Sequence, residues 1–65
     1  MGRDFIVLVD GNNNVSIERI SNIDSVQKLE TGVRIFWKSN KGEFGEIVGE
    51  DYHNDFEDIK DVLVD

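Results

Sequence analysis

The segment from Val33 to Gly49 constrains this chain most. It runs Val33-Arg34-Ile35-Phe36-Trp37-Lys38, then Ser39-Asn40-Lys41-Gly42, then Glu43-Phe44-Gly45-Glu46-Ile47-Val48-Gly49. Side chains on a strand alternate between two faces. Val33, Ile35 and Trp37 therefore share one face, and Arg34, Phe36 and Lys38 share the other. Ser39 to Gly42 is turn chemistry, and Phe44 to Val48 returns as a second strand. Gly45 inside that strand implies a bulge or tight curvature, which a small closing sheet needs. Trp37 and Phe44 are expected in the core, which leaves Arg34, Phe36 and Lys38 facing outward.

The pattern matters because the chain has little else to fold with. At 65 residues one core supplies only about 3–5 kcal/mol. There is no cysteine and a single histidine, His53, so disulfides, thiolate metal sites and multi-histidine sites are excluded. Packing, or association with a partner, must stabilise the fold.

Upstream, Phe5-Ile6-Val7-Leu8-Val9 is a short apolar run rich in β-branched residues, ended by Asp10-Gly11-Asn12-Asn13-Asn14. Five residues are too few for a typical helix, and the Gly/Asn cluster is turn chemistry. Val15 to Ile20 alternates, with Val15 and Ile17 opposite Ser16 and Glu18, as in a half-buried strand. The two runs make a hairpin. In residues 21–32, Ile23, Val26 and Leu29 are spaced three apart. With Ser21 or Asp24 as a cap and Thr31-Gly32 as a stop, this reads as a loop holding a short helical turn.

The end of the chain reads as a helix over 54–64. Asn54 is the expected N-cap, with Glu57 three positions on as a capping-box variant. Asp55, Glu57 and Asp58 suit the first turn, where the helix dipole favours negative charge. Phe56, Ile59 and Leu63 form one apolar stripe. Each contributes about 1.5–3 kcal/mol at full burial, so loss of this helix should unfold the domain.

Charge is distributed unevenly. Residues 1–42 hold six basic and five acidic side chains, whereas residues 43–65 hold nine acidic ones against Lys60. This acidic C-terminal part argues against nucleic-acid binding there, which needs clustered Lys and Arg. The longest apolar run is too short for a membrane span or a signal-peptide core. The lack of cysteine fits an intracellular protein. No catalytic constellation is present: no nucleophile stands with a positioned base, and no glycine-rich stretch has phosphate-loop spacing. A calcium loop opening at Asp10 would need Gly at 15 and Glu at 21, where the chain has Val15 and Ser21. Asp51, His53 and Asp55 read as loop and helix cap rather than metal ligands. Neither an enzyme nor a cofactor is expected.

The apolar strand ending in Trp37-Lys38, the polar turn, the aromatic Phe44, the small Gly45 and the apolar Ile47 resemble the central hairpin of Tudor and chromo-barrel domains. Similar modules open some BEN-domain regulatory proteins. The likeness covers roughly a third of the chain. It implies an SH3-like recognition barrel, often nuclear and chromatin-associated, that binds a peptide or partner protein. In methyl-lysine readers of that kind an aromatic cage holds the cation; here Phe36, Trp37, Phe44 and Tyr52 are the aromatics available. The loop at Gly11–Asn14 supplies none.

Together these readings give one mainly-β domain over 1–65: a small SH3-like or Tudor-like barrel of four to five strands capped by a C-terminal helix. Its expected role is non-catalytic protein or peptide binding, or self-association as a homo-oligomer, without direct nucleic-acid or membrane contact. The candidate partner-binding residues are Arg34, Phe36, Lys38 and Tyr52. An exposed aromatic beside two cations is an interface signature. The alternative is a small acidic inhibitor that imitates nucleic-acid charge and blocks a basic site.

Overall fold

A computed structural model describes residues 4–64. The strands are β1 (Phe5–Val9), β2 (Val15–Arg19), β3 (Ile23–Leu29), β4 (Gly32–Lys41) and β5 (Ile47–Tyr52), with a 3-10 turn at Ile20–Asn22 and one helix, α1 (Phe56–Val64). The expected mainly-β class and the C-terminal helix are present, and the strands number five, at the upper end of the four to five expected. β1 and β2 form a two-stranded antiparallel sheet, and β3-β4-β5 form a three-stranded one. The sheets meet at one corner, where Asp10 bridges Tyr52 and the His53 amide donates to the Val9 carbonyl at 2.6 Å.

The core is Ile6, Leu8, Ile23, Val33, Ile35, Trp37, Tyr52 and Ile59, with Ile20, Val26, Phe56, Val62 and Leu63 packed against it. β4 supplies three of these from its expected inward face, and Leu8, Val33, Ile35 and Ile59 are sealed almost completely from water. The helix stripe of Phe56, Ile59 and Leu63 turns inward as its spacing requires. Gly32, with φ of +128°, is obligatory: a Cβ there would run into the Tyr52 carbonyl oxygen.

Four expectations are corrected. Residues 23–29 form a strand rather than a loop with a helical turn. A bulge lies between Ile23 and Ser25 in its pairing with β4. One extra residue turns the two-residue spacing of inward side chains into three, so Ile23 and Val26 both meet the core while imitating a helical period. Next, Val15 and Ile17 point outward. Register pairs Val7 with Ile17 and Val9 with Val15 on one face; once Ile6 and Leu8 turn inward, the apolar residues of β2 must face solvent. Phe44 is not core: it is 90% exposed, in the turn before β5. Gly45 sits in that turn with φ of +83° and open space around it, so it serves the turn and not strand curvature.

The fourth correction concerns the helix cap. The Asp55 carboxylate accepts from the Glu57 amide at 3.1 Å, and the Asp55 carbonyl accepts from the Asp58 and Ile59 amides. Asp55 is therefore the cap, one residue later than expected. Asn54 is occupied elsewhere. Its Oδ1 accepts from the Val9 amide at 2.8 Å and its Nδ2 donates to the Val7 carbonyl at 2.9 Å. A side-chain amide thus stands in for a neighbouring peptide along the outer edge of β1.

Candidate functional site

Two outward sheet faces are candidates, and they differ in how far the molecule satisfies them itself. The first is the outer face of β4–β5, which carries the expected residues. Arg34 lies opposite Asp51. Its Nε and Nη2 donate to the two Asp51 oxygens at 2.7 and 3.2 Å, a bidentate pair. The hydrogen-bonded Arg34 holds the Asp51 carboxyl below its usual range, and Asp51 in turn raises Arg34. Phe36 lies opposite Gly49. A Cβ on Gly49 would meet Arg34 Cγ at 2.7 Å and Phe36 Cε1 at 2.9 Å, so both side chains lie across the glycine. Phe36 is half-buried there, and Lys38 is exposed.

Tyr52, the fourth expected residue, is a core residue, 7% exposed. It cannot present its ring to a partner. Its ring stands edge-on to Trp37, with centroids 6.3 Å apart and planes at 87°. Its hydroxyl donates to Glu50 Oε2 at 2.9 Å. Burial, and then the Glu50 hydrogen bond, push this phenol up to about 12. An open hollow of about 230 Å³ beside it is lined by Trp37, Glu18, Glu50 and Asn22 among others. The four aromatics do not assemble into a cage: Phe36 is on the opposite face of β4 from Trp37, and Phe44 is out in the turn.

The second face was missed by sequence reasoning. The outward residues of β1–β2 are Phe5, Val7, Val9, Val15, Ile17 and Arg19. Phe5 and Val7 are each 52% exposed, and Val15 and Ile17 each 66%. Arg19 lies opposite Phe5 with its guanidinium 5.0 Å from the ring centroid, within cation–π range. A chain with 14 acidic residues thus presents a face with no carboxylate.

The edge of β2 adds to this. The Ile20 amide donates to the Asp4 carbonyl, and the Asp10 amide to the Asn14 carbonyl. Both pairs lie in register with the β1–β2 ladder. Hydrogen-bonded pairs alternate along an antiparallel ladder, so Ile6–Glu18 and Leu8–Ser16 are bonded within the sheet. The amides and carbonyls of Val15, Ile17 and Arg19 then point away from β1. On the far side of β1 the Val7 carbonyl and both the amide and the carbonyl of Val9 are met by Asn54 and His53. Among the described residues nothing meets those of β2. The sequence signal was present as the apolar content of Phe5–Val9: five apolar residues in a row leave one face without a home in a single small sheet.

The hairpin loop below this face is well organised. The Asp10 carboxylate accepts from the Asn12 and Asn14 amides at 2.8 and 2.9 Å. The Asn14 and then the Asn12 backbone bonds lower its pKa. Among the described residues no three metal-capable side chains come together, and no helix is long and apolar enough to cross a membrane. Comparison of the chain with protein-family models, with curated proteins and with solved structures finds no match.

Proposed function

We propose that this chain is a non-catalytic recognition module that binds an extended peptide segment of another protein by strand addition to β2. The observation that carries the reading is the pairing of an unmet edge at Val15, Ile17 and Arg19 with the acid-free apolar face beside it. Strand addition takes affinity from main-chain hydrogen bonds and specificity from alternate side chains. A peptide laid antiparallel along β2 would place every second side chain beside Val15, Ile17 and Arg19. Apolar residues suit the first two, and a carboxylate suits Arg19, which has no carboxylate on its own face. The resemblance to Tudor-like modules supports a recognition role of this general kind, in a nuclear or chromatin setting.

The test is selection from a random peptide display library against the full chain. Enriched peptides should alternate apolar residues and place an acid one strand repeat beyond them. Binding should be lost in Ile17→Lys and kept in Lys38→Ala, with both variants retaining the native circular dichroism spectrum. Peptides that bind Ile17→Lys as well as the native chain would overturn the reading.

A second reading rests on charge. Glu43, Glu46, Glu50, Asp51, Asp55, Glu57, Asp58 and Asp61 are all exposed, which suits an acidic inhibitor that occupies a basic site. Binding of that kind weakens steeply as salt rises, whereas strand addition on an apolar face does not.

A further inference from the structure

The free edge of β3 has a property that the β2 edge lacks: it is complementary to itself. β3 joins β4 through the two residues Glu30 and Thr31, with Leu29 opposite Gly32. In such a tight hairpin the closing pair is mutually hydrogen-bonded, so Gln27–Arg34 is bonded as well. The amides and carbonyls of Val26 and Lys28 then point away from β4. Among the described residues, no other backbone or side chain meets them. The strand reads Ile23-Asp24-Ser25-Val26-Gln27-Lys28-Leu29. Asp24, Ser25, Gln27 and Lys28 are exposed. Among the described residues the one salt bridge is Arg34–Asp51, so neither Asp24 nor Lys28 is paired within the chain.

We infer that two copies of this chain associate through β3, antiparallel about Val26, to form a continuous six-stranded sheet. In that register Val26 meets Val26 of the second copy. Asp24 meets Lys28 of the second copy, and Lys28 meets its Asp24. Ser25 meets Gln27 and Ile23 meets Leu29, each in both directions. No like charges are opposed, and each exposed charge on the strand gains an opposite one across the two-fold axis. The bulge at Asp24 is spanned by the flexible stem of Lys28.

Charge argues for a second copy as the occupant. Two chains of net charge −7 repel overall, so a contact between copies requires a strand whose own charges cancel across it, as Asp24 and Lys28 of β3 do. The same operation on β2, about Ile17, sets Glu18 against Ser16 and Arg19 against Val15, and pairs no charge. The added strand also lies beside the apolar hollow of about 160 Å³ lined by Val26, Phe56, Ile59 and Leu63, extending the sheet where α1 leaves it uncovered. This association uses a different edge from the peptide site and stands independently of it.

Sedimentation equilibrium of the full chain across a wide concentration range tests the inference. The native protein should show a reversible monomer–dimer equilibrium. Asp24→Lys and Lys28→Asp each replace two attractions by two repulsions, and each should weaken association about tenfold or more. An equal mixture of these two variants should form heterodimers, and the double variant Asp24→Lys/Lys28→Asp should recover the homodimer. Such rescue is impossible for variants that merely misfold. In the native chain, hydrogen exchange at the Val26 and Lys28 amides should slow as concentration rises. A monomer at every concentration, a dimer indifferent to both reversals, or reversals that mixing does not rescue would each overturn the inference.

Discussion

The outer faces of β4–β5 and β1–β2 are built from the same alternation, yet the molecule closes only the first. On β4–β5, two of the outward side chains have a cross-strand answer and, among the described residues, only Lys38 has none: Arg34 has Asp51, and Phe36 has the bare backbone of Gly49. On β1–β2, Val7 answers Ile17 and Val9 answers Val15, but among the described residues nothing covers the pairs. The difference lies in what each hairpin was given to spend on its second face. Polar and glycine partners finish a sheet surface in water. Apolar partners finish it only when something else lies on top. Single exposed apolar residues are ordinary on a protein surface; a contiguous set on one hairpin is not.

The comparison can be broken most severely at the parts both sheets share. Deleting residues 54–65 removes Ile59 from the core and Asn54 from β1; the expected result is loss of a cooperative melting transition. Truncating the inner face of β1–β2 by Leu8→Ala should cost about 2–5 kcal/mol, measured by urea denaturation. Ile17→Ala on the outer face should change stability by no more than about 0.5 kcal/mol. Equal effects at Leu8 and Ile17 would mean that the outer face is covered within the chain. Asn54→Ala leaves the Val9 amide and Val7 carbonyl without their partner and should cost about 1–3 kcal/mol.

Proton linkage offers a finer probe of the β5 end. The folded-state phenol of Tyr52 is pushed up to about 12, above its ordinary value near 10. Its contribution is therefore fully present below about pH 10 and is lost as pH rises through the folded value. The melting temperature should fall across that alkaline window, and Tyr52→Phe should flatten the fall. The smallest effect is expected at Arg34→Ala. Its pair with Asp51 is exposed on both sides, and such pairs contribute little. A large loss there would show that the closed face owes its integrity to that bridge and not to Phe36 on Gly49.

How much of this was legible in the sequence depends on whether a residue's face was set locally. Val33, Ile35 and Trp37 alternate with Arg34, Phe36 and Lys38, and the two cations mark that second face as outward, so the inward orientation could be read directly. So could the apolar stripe of α1. Phe5 to Val9 is apolar at every position, and the run alone does not say which alternate set turns inward. That choice is made by packing, and the register then carries it to Val15 and Ile17. β3 was hidden by its bulge, since one inserted residue disguises a strand period as a helical one. The cap shifted from Asn54 to Asp55 because a contact 45 residues distant along the chain, to Val9, claims the Asn54 amide. Of the candidate site, Arg34, Phe36 and Lys38 were placed on the correct side of β4. What their neighbours on β5 do to Arg34 and Phe36 depends on pairing with Asp51 and Gly49, which no local pattern encodes.

Asn54 has one more consequence. Because its amide closes the edge of β1 immediately before the helix begins, undocking of α1 should loosen that edge. The Val9 amide should exchange with solvent deuterium faster once the helix lets go. A partly opened molecule would then offer two bare strand edges on a two-stranded ribbon whose outer face is already apolar. That is a species from which ordered aggregation could start, and the Asn54 amide lowers its population together with the burial of Ile59 and the His53–Val9 bond.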